Sequence, residues 1–149
     1  MRPVLGASAL ALATGAVIAI PAAASAQATP AQKVPLTQTN RDCSGTIIGG
    51  QQTQQFGFAV VVRPASGKLV ANVVLQGAQP DTTYNIRLIQ LVPGDLDCTT
   101  VDGTLTTDSS GNGSANVQEP VLQGASKAWV DLNNAADFTN FYDTEVVSF

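Results

Sequence analysis

Apolar and polar residues alternate with a period of two along most of the chain after residue 40, which is the pattern of half-buried β-strands. No stretch carries a capped apolar repeat of 3.6 residues, so helices should be absent or limited to one turn near 133–138. The alternating segments are 46–48, 56–62, 69–75, 84–91, 103–107, 114–118, 127–132 and 141–149. Seven or eight short strands separated by Gly, Pro, Asn and Asp turns predict an all-β fold, an immunoglobulin-like two-sheet sandwich in preference to a closed barrel.

The first 26 residues have a different pattern, that of a secretory signal peptide. Arg2 is followed by an apolar run over 4–20 and by Ala24-Ser25-Ala26, a small-x-small cleavage pattern. Small residues within the run disfavour a permanent membrane anchor. The sequence therefore predicts a secreted, extracellular protein that begins near Gln27 and does not insert into a membrane after cleavage.

The mature chain divides into an arm and one domain. Residues 27–40 contain two prolines and few large apolar side chains, so they are expected to form an extended N-terminal arm. The β-sandwich domain is expected over 41–149. Six basic and 11 acidic residues remain after residue 26, a formal charge of −5. This charge argues against nucleic acid and anionic membrane surfaces as partners, because both require a basic protein surface.

Cys43 and Cys98 are the two cysteines of the chain. An even count in an exported protein indicates a disulfide, and the C-x-x-C spacing of a metal or redox site is absent. The bridge should join the segment before the first hairpin to the loop after the strand at 84–91. Closing a loop of this size contributes roughly 4 kcal/mol through the entropy of the unfolded chain.

The chain contains no histidine, which excludes Ser-His and Cys-His catalytic pairs and His-ligated metal sites. Carboxylate chemistry or a Ser/Lys pair remains, and Asp95 and Asp97 are a close acidic pair in a predicted loop. They are better explained as solvated loop residues. We expect a protein that is not an enzyme and uses no cofactor.

One motif matches a calcium-binding loop. Asp108, Ser110, Asn112 and Glu119 occupy positions one, three, five and twelve of an EF-hand, with Gly113 at position six. Alternating residues on both sides indicate strands where an EF-hand has helices. We therefore expect a β-hairpin turning at Asn112-Gly113, with no metal.

Two resemblances extend this interpretation. Leu75, Pro80, Thr82 and Tyr84, followed by an alternating strand, resemble the tyrosine-corner segment of fibronectin type III and related immunoglobulin-like domains. In such a corner the ring of Tyr84 would pack into the sandwich and its hydroxyl would bond to backbone a few residues upstream. The 58 residues that follow Leu91 imply a different topology from that family.

The second resemblance is longer. The order of a hairpin, a Thr83-Tyr84 strand, Cys98 and a Gly111-Asn112-Gly113 turn is similar to small exported actinobacterial proteins and to enediyne-antibiotic apoproteins of the neocarzinostatin type. Those apoproteins are acidic, secreted sandwiches with a ligand cleft and two disulfides. The resemblance implies a cleft here, without identifying the residues that would line it.

Aromatic residues near the C-terminus are the remaining candidates for a ligand or partner surface. Trp129, Phe138, Phe141 and Tyr142 lie close together in sequence, although a core of this size also consumes such residues. The main hypothesis is a secreted, non-catalytic binding or cell-surface interaction protein, whose partner is a protein, a glycan or a small apolar ligand. The alternatives are a carrier of a small apolar ligand and a carboxylate-based hydrolase.

Overall fold

The computed structural model describes residues 27–149, and the expected signal peptide lies outside the described residues. Within this range the chain forms β-strands and no helix, and every ladder is antiparallel. The nine strands, β1 to β9 in chain order, are Gln32–Pro35, Gly57–Val62, Lys68–Leu75, Thr83–Gln90, Gly103–Thr106, Gly113–Pro120, Lys127–Asn134, Phe141–Asp143 and Val147–Ser148. The predicted all-β, two-sheet fold is confirmed, with nine strands rather than seven or eight.

The strands form a four-stranded sheet A and a five-stranded sheet B. Sheet A has the order β1-β2-β3-β6, and sheet B has the order β5-β4-β7-β8, with β9 paired to the other end of β7. The predicted hairpin between β2 and β3 is present and turns at Gly67, whose φ is +77°. The chain crosses between the sheets after β3, β5 and β6, so each sheet combines strands that are distant in sequence.

The core lies between the two sheets because each strand turns its apolar set of alternating residues inward. On β3 that set is Leu69, Ala71, Val73 and Leu75, and all four are at most 1% exposed. Sheet B contributes Tyr84, Ile86 and Leu88 from β4 and Ala128, Val130 and Leu132 from β7. These residues form one continuous hydrophobic cluster, as a sandwich requires.

The N-terminal arm differs from its prediction, because it is part of the sandwich. Gln32–Pro35 forms β1 and pairs with β2, and Leu36 is fully buried. Thr37 exchanges backbone hydrogen bonds with Asp143 of β8, at 2.8 and 2.9 Å, and so connects the arm to sheet B. The ordered domain therefore begins well before Arg41. The sequence gives little signal for β1, because Val34 is the one buried apolar residue of this short strand.

The expected hairpin at Asn112-Gly113 is wrong, since β5 and β6 belong to different sheets. β5 pairs with β4, and β6 pairs with β3, so the turn between them is a crossover. The backbone of Ala78 donates to the carbonyl of Gly111 at 3.0 Å. A Cβ on Gly111, whose φ is +79°, would lie 2.1 Å from the Ala78 carbonyl oxygen, so this turn requires glycine.

Two smaller segments also differ from the alternation pattern. Residues 46–48 form no strand, and Ile47 makes only an isolated bridge to Arg41. The predicted strand over 141–149 is divided into β8 and β9, because Thr144 leaves the ladder; its hydroxyl accepts from the Val130 backbone N–H at 3.0 Å. The possible helical turn at 133–138 is instead the end of β7 and a non-helical turn.

Tyr84 packs into the sandwich as the tyrosine-corner resemblance implied, but its hydroxyl has a different main partner. The ring is fully buried and meets Tyr142 edge-on, with the ring centroids 5.5 Å apart. The hydroxyl donates to Oδ1 of Asn140 at 2.8 Å, a side chain 56 residues downstream. Burial is the main cause that raises the pKa of Tyr84, and the backbone of Gln79, five residues upstream, lowers it to a smaller extent.

The predicted disulfide between Cys43 and Cys98 is confirmed. Their Cα atoms are 5.8 Å apart, within the usual range for a bridge, and the bond closes a loop of 55 residues. It joins the segment between β1 and β2 to the loop between β4 and β5. Within 27–149, no helix has the length and hydropathy needed to span a membrane.

Removing the disulfide should destabilise the domain by about 2 to 5 kcal/mol, because the bridge limits the freedom of the unfolded chain. Urea unfolding of Cys43→Ala/Cys98→Ala beside the oxidised wild-type protein measures this loss. The double variant avoids a free thiol. A loss below about 0.5 kcal/mol would mean that the bridge contributes little to folding.

Candidate functional site

A cleft of about 620 Å³ lies on the face of sheet B that points away from the core. Its floor consists of the outward-facing residues of two central strands, Arg87 and Ile89 of β4 and Trp129 and Asp131 of β7. The core-facing residues alternate with these along both strands. The volume falls within the range of about 300 to 1,000 Å³ that is typical of small-molecule sites.

Two loops form the rim of the cleft. The first is the segment from Asn40 to Cys43, to which the disulfide attaches Cys98. The second is the loop between β7 and β8, which contributes Phe138 and Thr139. The cleft thus combines segments that are separated by about a hundred positions in sequence. The disulfide fixes the first loop beside the strands that form the floor.

Two ion pairs lie side by side in the cleft. Arg41 Nε is 3.4 Å from Asp143 Oδ1, and Arg87 Nε is 3.6 Å from Asp131 Oδ2. Asp131 and Asp143 are directly opposite each other on β7 and β8, so their side chains are neighbours on the same face. Asn133 Nδ2 also donates to Asp131 Oδ2, at 2.5 Å.

Burial changes the ionisation of both carboxyl groups. Burial raises the pKa of Asp143 to about 7, against the opposing effect of Arg41, and the neighbouring Asp131 raises it further. Burial likewise raises the pKa of Asp131 to about 6, against the attraction of Arg87. Each ion pair therefore offsets only part of the cost of removing a carboxylate from water.

Three of the four predicted aromatic residues line the cleft. Trp129 is 3% exposed and lies at the floor, Phe141 is half-buried, and Phe138 projects from the rim with 72% of its surface exposed. Tyr142 does not belong to this surface. It faces the core with 2% exposure, and its ring packs against Phe56 with the centroids 4.9 Å apart.

A tight turn covers part of Trp129. Oδ1 of Asp42 accepts from the backbone N–H of Ser44 at 2.9 Å and of Thr46 at 3.1 Å, and Arg41 Nη1 donates to the carbonyl of Gly45 at 2.9 Å. A Cβ on Gly45, whose φ is +78°, would lie 2.3 Å from a methyl carbon of Val146. Glycine is required here because the turn packs directly on the chain that follows β8.

The structure separates the residues of the calcium motif. Oδ1 of Asp108 accepts from the backbone N–H of Ser110 at 2.8 Å and of Asn112 at 2.9 Å, so this carboxylate closes a turn. Glu119 is the seventh residue of β6, roughly 20 Å along the strand from its start. Its carboxylate accepts from Gln90 Nε2 at 2.9 Å. The twelve-residue loop of an EF-hand is not formed.

Asp95 and Asp97 do not form a carboxylate pair in a groove. Asp97 is exposed and accepts hydrogen bonds from Thr99 and Thr100, which lower its pKa. In the described part of the chain, no group of three or more His, Cys, Asp or Glu side chains is placed to hold a metal ion.

The four charged residues of the two ion pairs were not predicted from the sequence. Arg41, Arg87, Asp131 and Asp143 are spread over about a hundred positions and only the pairing of β7 with β8 brings the two carboxylates together. One local signal was available: Asp131 interrupts the apolar run from Ala128 to Leu132, in a strand whose other face is buried.

Comparison with known proteins adds no family to these observations. The chain matches no protein-family model, no curated protein and no solved structure. The resemblance to fibronectin type III domains and to enediyne apoproteins stays a prediction.

The raised pKa values of Asp131 and Asp143 predict that the domain is more stable in mild acid than in mild base. The folded protein binds these protons more tightly than the unfolded chain, so the stabilisation is complete below about pH 3.8 and is lost as the pH rises through about 6 to 7. We expect the free energy of unfolding to fall by about 1 to 3 kcal/mol between about pH 5 and pH 8. Urea unfolding across this range measures it.

Asp143→Asn should remove most of this slope. Asp131, Asp102 and Glu119, whose pKa values burial also raises, account for a residual slope of the same sign. Asp137→Asn is the matched control: hydrogen bonds from Thr139 lower the pKa of Asp137, so it stays ionised throughout the range. An unchanged slope in Asp143→Asn would contradict the assignment.

Proposed function

We propose that this protein is a secreted, non-catalytic binding protein whose ligand occupies the cleft on the outer face of sheet B. The observation that carries the proposal is the combination of Trp129, Phe138 and Phe141 with two buried ion pairs in one cavity of about 620 Å³. Convergent aromatic and polar side chains in a concave site are the usual features of a ligand pocket. The signal-like segment and the disulfide are both compatible with secretion.

Phe138 supports binding more directly than the other aromatic residues. A phenylalanine with 72% of its surface in water contributes little to folding, and this one stands at the rim of the cleft. Exposed aromatic residues beside a cavity are typical contact residues for ligands. Ile48, with 61% of its surface exposed, does not line this cleft.

A carrier of a purely apolar ligand is less well supported by the same cleft. Such a ligand would cover the Arg41–Asp143 and Arg87–Asp131 pairs and supply no hydrogen bond in return. Removing polar groups from water without compensation costs roughly 1 to 3 kcal/mol for each group. The ligand should therefore carry polar groups of its own.

Native mass spectrometry tests the proposal on protein purified from the culture supernatant of its own producer or a close expression host. We expect a bound small molecule, or uptake of one from concentrated supernatant, and a loss of at least about 1 kcal/mol in binding for Phe138→Ala. Leu122→Ala is the matched control, since Leu122 is 44% exposed and does not line the cleft. Equal occupancy in the wild-type protein and Phe138→Ala would contradict the proposed site.

A carboxylate-based hydrolase is the second candidate, favoured by the pairing of Asp131 with Asp143. Cross-strand neighbours have Cβ atoms about 4.5 to 5.5 Å apart, close to the separation of the two carboxyl groups in retaining glycosidases. However, their side chains are only 11% and 3% exposed, and each lies beside an arginine. A substrate oxygen would have to reach both carboxyl groups, so the geometry favours binding over catalysis. Release of new reducing ends from a bound glycan, abolished by Asp143→Asn and kept in Asp137→Asn, would reverse this preference.

A further inference from the structure

The ligand class can be narrowed by the charge of the cleft. Its lining contains two arginines and three aspartates; four of these form two ion pairs, and the third carboxylate, Asp42, closes the rim turn. The formal charge of the lining is therefore only −1, whereas residues 27–149 carry −5. A strongly charged ligand would have to displace an arginine from its aspartate, or an aspartate from its arginine, before it could bind to either side chain. A neutral ligand can approach without breaking either pair.

The polar lining has the geometry that recognises hydroxyl groups. Guanidinium, carboxylate and carboxamide groups are planar and present two or more adjacent hydrogen-bonding atoms, so they can contact neighbouring hydroxyls at the same time. The cleft presents all three types in Arg41, Arg87, Asp131, Asp143 and Asn133. Both donors and acceptors are therefore available, which matches a hydroxyl, the one common group that donates and accepts.

Two buried donors in the lining, Arg87 Nε and Trp129 Nε1, lack a hydrogen-bond partner in the protein. No acceptor of the protein reaches Nε1 of Trp129, which is enclosed beneath the Asp42 to Thr46 turn. A buried N–H without a partner costs roughly 1 to 3 kcal/mol and calls for an explanation.

The aromatic residues complete the pattern. Phe138 and Phe141 offer flat apolar faces beside the polar groups, at the rim and the wall of the cleft. A sugar ring has an apolar face of C–H groups and a periphery of hydroxyls, so it can use both kinds of contact together. A peptide that binds by adding a strand would use the free backbone groups of a sheet edge, whereas this cleft lies over the central strands β4 and β7.

We infer that the cleft binds a neutral carbohydrate, with a sugar ring against Phe138 and Phe141 and hydroxyls bonded to the more exposed polar side chains of the floor, Arg87, Asp131 and Asn133. The inference rests on the proposed function, since it names the ligand class of the same site.

Affinity electrophoresis of the mature protein tests the inference, with gels that contain dextran, laminarin, arabinogalactan or hydroxyethyl cellulose. Retardation by at least one of these neutral polysaccharides is expected, and it should persist at about 0.5 M NaCl, because the contacts are not between net charges. Trp129 is the single tryptophan of the chain, so its fluorescence should change on titration with the retarding polysaccharide.

Phe138→Ala should weaken the binding roughly tenfold, and Leu122→Ala should leave it unchanged. Both positions are exposed, so both variants should fold, which matching circular dichroism spectra would verify. Binding that Phe138→Ala leaves intact would overturn the assignment to this cleft.

Three other outcomes would overturn the carbohydrate class. The first is the absence of retardation by all four polysaccharides. The second is retardation only in a control gel of anionic alginate, with the retardation lost when salt is added. The third is a peptide as the native ligand. If native mass spectrometry finds a bound molecule that is not a sugar and depends on Phe138, the ligand class is wrong and the proposed binding function stands. If it finds none and no gel retards the protein, both fail.

Discussion

The antiparallel pairing of β4 with β7 is the constraint on which both the core and the cleft depend. Their register places Ile86 opposite Leu132 and Arg87 opposite Asp131. Because side chains alternate between the two faces of a strand, the same pairing puts the first pair in the core and the second on the cleft floor. A slip of one residue would exchange the two faces and bury the charged pair against sheet A. The apolar core thereby selects the register that also assembles the candidate site.

The cleft retains polar groups at a cost to folding. The carboxyl groups of Asp131 and Asp143, on adjacent strands, are mostly withdrawn from water. The raised pKa values of these two carboxyl groups indicate that the neighbouring arginines compensate for only part of that loss. Apolar residues of similar volume would fill this face of sheet B at lower cost. The polar groups therefore favour a functional interpretation of this face over a purely structural one.

The rim of the cleft depends on contacts between segments that are distant in the chain. The disulfide attaches the Asp42 to Thr46 turn to the loop after β4, and Arg41 connects the same turn to Asp143. Neither loop has regular secondary structure. Their positions relative to the floor therefore rest on a covalent bond and an ion pair rather than on a β-ladder.

By itself, the sequence determined the fold class and most of the strands, because the period of two is a local property of the chain. It also determined the disulfide, since Cys43 and Cys98 have no other partner, and the burial of Tyr84.

Only the tertiary structure decided which strands are neighbours. The Gly111 to Gly113 turn is compatible with a hairpin and with a crossover between sheets, and long-range packing against Ala78 selects the crossover. The four charged residues of the cleft follow from that pairing. Residues as far apart as Arg41 and Asp143 become neighbours only when Thr37, in the segment after β1, pairs with Asp143 of β8, and no local pattern encodes that contact.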